Sequence, residues 1–193
     1  MSDQSTPPDY FDRLYADNPD PWRFATDHYE HDKYAATLAM LPRARFRSGV
    51  EIGCSVGVLT RLLAGRCDTL LGIDGSETAL VHARTRCRDA GHVAFARMQV
   101  PAEWPPHRFD LIMLSEILYF LSRSDLQAVA RQVLRSLDAD GVVVLVDWLG
   151  ETGSAQSGEE AAENFIAATR GDLCVLAGQR TPQYRIDLLT RPA

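Results

Sequence analysis

Val50-Glu51-Ile52-Gly53-Cys54-Ser55-Val56-Gly57-Val58-Leu59-Thr60 reads as a short apolar strand, a glycine turn and the first turn of a helix. A second apolar run, Thr69-Leu70-Leu71-Gly72-Ile73, follows it and ends in Asp74. A turn of small residues after one strand and a carboxylate at the tip of the next form a nucleotide-type pocket. Glycine lets the backbone approach a ligand closely. The carboxylate accepts two hydrogen bonds from ribose hydroxyls.

Outward from this stretch the chain alternates. Strands are expected near 49–53, 69–73, 93–99, 109–115 and 141–147, and helices near 57–66, 76–89 and 124–137. Ser122 and Asp125 mark the start of the last of these helices, and Leu126, Val129, Ala130, Val133 and Leu137 form one face of it. Asp138-Ala139-Asp140-Gly141 reads as a turn into Val142–Val146, an apolar run typical of a parallel strand buried on both faces. Residues 150–158 read as a mobile loop and 159–169 as a helix. Two further strands, 172–178 and 184–190, are joined closely enough to be a hairpin, so one of them runs antiparallel to the rest. The expected class is therefore α/β, a doubly wound, mostly parallel seven-stranded sheet with a C-terminal antiparallel hairpin and an N-terminal helical cap. Residues 10–41 precede the sheet and are rich in aromatic side chains. They read as a cap, with an amphipathic helix over 27–41 ended by Pro42. Their rings either pack the cap onto the core or line a ligand. We take 1–193 as one domain, with tail and cap over 1–42 and the α/β core over 43–193.

A chain of 193 residues suits one domain with a sizeable core. Its formal charge of -6 argues against nucleic acid as partner, since phosphate binding needs a basic surface. The arginines at 84, 86 and 88 read as a solvated helix face. No apolar run approaches the roughly 20 residues that span a bilayer. Residues 1–9 are polar and read as a disordered lead-in without a signal pattern, which points to the cytoplasm. The cysteines at 54, 67, 87 and 174 form no metal-ligand pattern and no disulfide framework. Nothing in the sequence sets the oligomeric state.

The turn itself narrows the ligand. A dinucleotide fingerprint needs G-x-G-x-x-G, and its second glycine is here Ser55. A P-loop needs Gly-Lys-Ser/Thr, and no lysine is present. The form Glu51-x-Gly53-x-x-x-Gly57 resembles the first motif of the class I S-adenosylmethionine-dependent methyltransferases. In that family the turn holds the methionine portion of the cofactor, and the acidic residue after the second strand holds the ribose. The resemblance extends to a narrower family. Asp20-Pro21-Trp22, His28-Tyr29-Glu30-His31-Asp32-Lys33-Tyr34, Val100-Pro101-Ala102-Glu103-Trp104-Pro105-Pro106 and Phe109-Asp110-Leu111-Ile112-Met113-Leu114-Ser115-Glu116-Ile117-Leu118-Tyr119-Phe120 are similar to the NodS-like methyltransferases. The resemblance implies S-adenosyl-L-methionine as cofactor, contacted by Trp22, Tyr29, Glu51, Gly53, Cys54, Ser55, Gly57, Asp74, Gly75, Met98, Gln99 and Ser115. The family's namesake methylates the amine of a glucosamine at the non-reducing end of a deacetylated chitooligosaccharide. This chain departs from it in having Asp147-Trp148 where the family pattern has His-Trp, and Ala161-Ala162 near a second histidine position.

In open parallel sheets ligands lie at the carboxyl ends of the strands. Ser115-Glu116 and Asp147-Trp148 follow the fourth and fifth strands, where a methyl acceptor is expected. Glu116, Tyr119 and Asp147 are the candidate catalytic residues, with Glu116, Tyr119 and Trp148 contacting the substrate. For Glu116 the alternative is a carboxylate that caps the next helix or touches the cofactor. No Asp/Asn-Pro-Pro-Tyr follows the fourth strand, and all five histidines (28, 31, 82, 92, 107) precede it. Both features favour an amine acceptor, which needs little base. The expected substrate is a small-molecule amine such as an amino sugar. O- or N-methylation of another small metabolite, or a non-catalytic nucleoside-binding module, are the alternatives.

Overall fold

The computed structural model describes residues 4–154 and 156–192. Seven strands form one sheet in the order β3-β2-β1-β4-β5-β7-β6. They are β1 (Phe46–Ile52), β2 (Cys67–Asp74), β3 (Val93–Arg97), β4 (Phe109–Ser115), β5 (Leu137–Trp148), β6 (Cys174–Arg180) and β7 (Tyr184–Thr190). The helices are α1 (Pro8–Asp17), α2 (His28–Ala39), α3 (Val58–Leu63), α4 (Glu77–Arg86), α5 (Arg123–Ser136) and α6 (Gly158–Ala168). β1, β2 and β3 pair in parallel, as do β4 and β5, while β7 is antiparallel to both β5 and β6. This is the expected mixed α/β sheet with its C-terminal hairpin. By its contacts the chain divides into two compact units. One is Pro7–Gln99, and the other runs from Val100 onward together with the segment ending at Thr6.

In the first unit, Val50 and Ile52 of β1 and Leu70 and Ile73 of β2 are buried, as strands covered on both sides require. Each side chain of this size adds about 1.5–3 kcal/mol when removed from water. Gly57 precedes α3 at φ 75°, and a Cβ there would stand 2.9 Å from both Cα and Cβ of Ala83. The absent side chain therefore lets α3 press against α4. Ser76 caps α4 by accepting from the amide of Ala79, and Asp27 caps α2 by accepting from that of Tyr29.

In the second unit all seven residues of β4 are buried, and so are Val142 to Val146 of β5. Helix α5 starts at the Ser122 cap and buries Leu126, Val129, Ala130 and Val133, as its apolar period predicts. A reciprocal capping box of Ser157 and Glu160 starts α6. Gly158 is required by packing. A Cβ there would lie 1.9 Å from the carbonyl oxygen of Trp148.

Two expectations need correction. Residues 138–141 do not form a turn before β5. The strand begins at Leu137, and the register with β4 shifts between Phe109 and Leu111, so the polar run is absorbed as an irregularity. The lead-in is structured from residue 5. Ser5 donates to the Asp125 carboxylate and accepts from the Ser122 amide at 2.8 Å, and Thr6 donates to the carbonyl of Phe120. Helix α1 then starts at Pro8, a position at which the missing N–H costs nothing. Met1 to Asp3 lie outside the described residues, as does Ala155 of the loop expected to be mobile. That loop carries a buried anchor. Gln156 donates to the carbonyl of Leu121 at 2.8 Å and accepts from Asn164 at 2.6 Å.

Candidate active site

Three residues of the turn after β1 lie at positive φ: Gly53 (75°), Ser55 (50°) and Gly57 (75°). For serine this is an uncommon backbone state, held here by its surroundings. The amides of Gly53 and Cys54 both donate to the carbonyl of Ile73 in β2, at 2.8 and 2.9 Å. The amide of Ser55 donates to Asp74 Oδ2 at 2.9 Å, and that of Ser76 to Asp74 Oδ1 at 2.8 Å. Asp74 thus clamps two turns. Burial raises its pKa, and the bonds from Ser76 and Ser55 oppose the rise. Met98 is drawn to the same end of the sheet, its amide donating to the carbonyl of Asp74 at 3.0 Å. Gln99 lies beside Gly75, where a Cβ would meet its Cγ at 3.8 Å.

Glu51 lies at the end of β1 and is 2% exposed. Its Oε2 accepts from the hydroxyl of Thr60 in α3 at 2.5 Å. Burial, with the charge of Asp74 adding to it, pushes its pKa to about 8. Cys54 is buried with its sulfur against Gly72, so its backbone rather than its thiol faces outward from the turn. Gly57 packs against Ala83.

The cap supplies a residue that the pattern of the sequence did not single out. Tyr15 of α1 is 3% exposed, and its hydroxyl is hydrogen bonded to the Ser55 hydroxyl. Its ring packs with Val56 and Ala79. An aromatic-rich segment offers no periodicity that marks one ring from the next, so only the fold picks Tyr15 out. Trp22 meets Tyr15 edge-on at 5.7 Å between centroids and stacks on Phe24 at 5.5 Å. Tyr29 packs instead on a buried ion pair. Lys33 Nζ is 5.3 Å from its ring centroid and 3.0 Å from Glu30 Oε1.

In the second unit, Ser115 closes β4 and is buried, and Glu116 follows at φ 57°. The Glu116 amide donates to the carbonyl of Val146 at 2.8 Å. Its Oε2 accepts from the hydroxyl of Tyr119 at 2.8 Å and from the amide of Trp148 at 3.0 Å. The structure therefore brings Glu116, Tyr119 and Trp148 together. Gly150 lies against the indole, where a Cβ would meet Nε1 at 2.4 Å. Asp147 precedes Trp148 in β5. Successive strand residues point to opposite faces, and Asp147 is 0% exposed, opposite Arg185 in the β5–β7 register. Arg185 also bonds Asp187 at 2.8 Å and Glu159 at 2.7 Å. Burial alone would lower the guanidinium pKa, but Asp187, Glu159 and Asp147 together raise it. Ala161 and Ala162, at the second departure from the family pattern, are fully buried in α6.

Residues 9–176 match the model of the Nodulation protein S (NodS) family. The chain belongs to this family. Nodulation protein S of Bradyrhizobium diazoefficiens is 29% identical over 150 residues, which are 77% of this chain and 72% of that one. The chain spans about half the length of other nodulation protein S relatives it matches. A solved structure from Pseudomonas syringae, described as a putative methyltransferase, is 34% identical with a TM-score of 0.73, over 86% of this chain and 100% of that one. The N-methyltransferase NodS of Bradyrhizobium japonicum, solved with S-adenosyl-L-homocysteine, shares the fold. Its TM-score is 0.82 at 22% identity, over 96% of this chain and 98% of that one.

As a NodS-family member the chain is a methyltransferase dependent on S-adenosylmethionine. The residues present fit that cofactor. Asp74 takes backbone bonds from Ser55, Ser76 and Gly75, and a carboxylate has about four acceptor sites, so capacity remains for a ribose hydroxyl. Glu51 is a buried carboxyl with only a like charge acting on it, a setting that suits a cation. No group of histidine, cysteine or acidic residues able to hold a metal occurs among the described residues. No helix among them is long and apolar enough to cross a membrane.

Proposed function

We propose that this methyltransferase acts on the amine of a small molecule, an amino sugar or a deacetylated chitooligosaccharide-like amine. The observation that carries the reading is Glu116. It is a carboxylate at the tip of a central strand, held at positive φ, with one oxygen fixed by Tyr119 and Trp148. Residues held at uncommon backbone angles of this kind cluster at functional sites. A fixed carboxylate orients an amine. The relative described as an N-methyltransferase supports the same acceptor atom.

S-adenosylmethionine, when bound, supplies an electrophilic methyl group on a sulfonium. The turn Gly53-Cys54-Ser55, with Glu51, Asp74, Gly75, Met98 and Gln99, would hold it, and Trp22, Tyr29 and Ser115 are further candidates. Glu116 aligns the acceptor nitrogen, and alignment is the larger part of the rate gain in a displacement of this type. The amine reacts in its neutral form, so a proton is lost to water. Asp147 is buried near the end of β5, opposite Arg185.

The test is a mass-shift screen with isotopically labelled cofactor over glucosamine oligomers, other amines, phenols and carboxylic acids. A gain of one labelled methyl on the glucosamine amine is the expected result. Methylation of a phenol or a carboxylate with inert amines would replace this reading by O-methylation. In that case the aspartate at 147 and the alanines at 161 and 162 mark a change of substrate class.

A further inference from the structure

Glu51 has an unusual setting for an acid. It is 2% exposed, and its Oε2 accepts from Thr60. The groups around it offer no positive charge. Asp74 at the end of β2 acts on it with the same sign, and the thiols of Cys54 and Cys87 lie close enough to be affected by it. Arg61 and Arg86, whose charges act on the Cys87 thiol, are engaged elsewhere. Arg61 pairs with Asp89 at 2.7 Å, and Arg86 donates to the carbonyl of Val56 at 2.9 Å. A carboxylate removed from water without a counter-charge is costly, and it keeps its proton instead. A cation brought beside it reverses that balance.

We infer that Glu51 is protonated in the free protein and gives up its proton when the ammonium of the cofactor's amino-acid moiety binds, so that cofactor affinity is coupled to pH through this one side chain. The inference rests on the cofactor reading of the turn above. The proton leaves the Glu51 carboxyl for solvent, and the carboxylate left behind pairs with the incoming ammonium, so charge is conserved within the pocket. The pH window follows from the acid's own value. With the free acid near 8, the protein must lose a proton to bind at pH 6 or 7, and no longer does so above 8. Affinity then rises about tenfold per pH unit below 8 and levels above it.

The experiment is calorimetric titration of the full chain with S-adenosylhomocysteine at pH 7 in two buffers of different ionisation enthalpy, repeated between pH 6 and 9. We expect close to one proton released per ligand at pH 7 and close to none at pH 9. The comparison ligand is 5′-methylthioadenosine, which keeps the base and ribose and lacks the ammonium. It should bind with no proton release and with affinity flat over the same range. Glu51→Gln should abolish the release with S-adenosylhomocysteine. Thr60→Val, which keeps the acid and removes the donor that favours its charged form, should move the levelling point to higher pH. Binding of S-adenosylhomocysteine with no buffer-dependent heat in the unmodified protein overturns the coupling and leaves the cofactor reading standing. Failure of both ligands to bind overturns the cofactor reading and the coupling with it.

Discussion

Two carboxylates, Asp74 at the end of β2 and Glu116 just past β4, do opposite things with their oxygens. Asp74 spreads its bonds over two backbone turns, one bond to each oxygen. Glu116 gathers two bonds on Oε2. Charge-assisted hydrogen bonds contribute roughly 1.5–3 kcal/mol each. Asp74→Ala should therefore weaken S-adenosylhomocysteine binding at least tenfold by calorimetry. Asp74→Asn keeps an acceptor oxygen at the site and should lose less. An unchanged dissociation constant in both would make Asp74 a turn residue only. Glu116→Gln should lower kcat by tenfold or more on an accepted amine while the cofactor Kd changes less than threefold. A loss confined to cofactor affinity would move Glu116 from the acceptor to the cofactor. At this scale the places of Glu51, Asp74 and Glu116 were legible in the sequence, because each stands at or just past the end of a strand. The surroundings of Asp147 were not. Which face a strand residue occupies is set by register, and the register with β7 is a matter of long-range pairing.

Among the elements, α1 was the one missed. Its sequence, PDYFDRLYAD, holds one proline, at its start, and mixes rings with charges, so no separate helix was read there although the cap as a whole was expected to be helical. Its helical state follows from burying Tyr15 against Val56 and Ala79, contacts that are distant in the chain. The helix ends at Asp17, and Asp20 then holds the next turn by accepting from the amides of Phe24 and Ala25. Because Tyr15 touches Ser55 of the glycine turn, α1 should respond to the ligand bound there. Limited proteolysis at 17–20 should slow severalfold when S-adenosylhomocysteine is added, and Tyr15→Phe should reduce that protection. Equal cleavage with and without ligand would separate the helix from the site. The helices and strands after residue 45 were readable to within a few residues. Their patterns are dictated by burial within each element, as in α5 with its single apolar face.

For the whole molecule the buried acids set the response to pH. Glu51 has a folded pKa of about 8 against an ordinary value of 4.5. A group raised in this way gives stability that is fully present below the unfolded value and is lost as pH rises through the folded one. Each such group changes stability by at most about 1.4 kcal/mol per pH unit. The Tm of the ligand-free protein should fall between pH 5 and 8, and Glu51→Gln should flatten the fall. A Tm that climbs over this range in the unmodified protein would show that Glu51 is already ionised. Adding S-adenosylhomocysteine should restore most of the lost stability at pH 8, since a ligand that binds only the folded state stabilises it by mass action.

The close approach of α6 to the end of β5 also bears on how such an enzyme changes in evolution. Gly158 admits no side chain, and Ala161 and Ala162 are fully enclosed. A histidine placed at either alanine would overfill the packing, at a cost of typically 1–3 kcal/mol. Either single replacement should therefore lower the Tm, and a larger side chain is accommodated there only after the helix has been moved outward by other replacements. The order of mutational steps matters along this route.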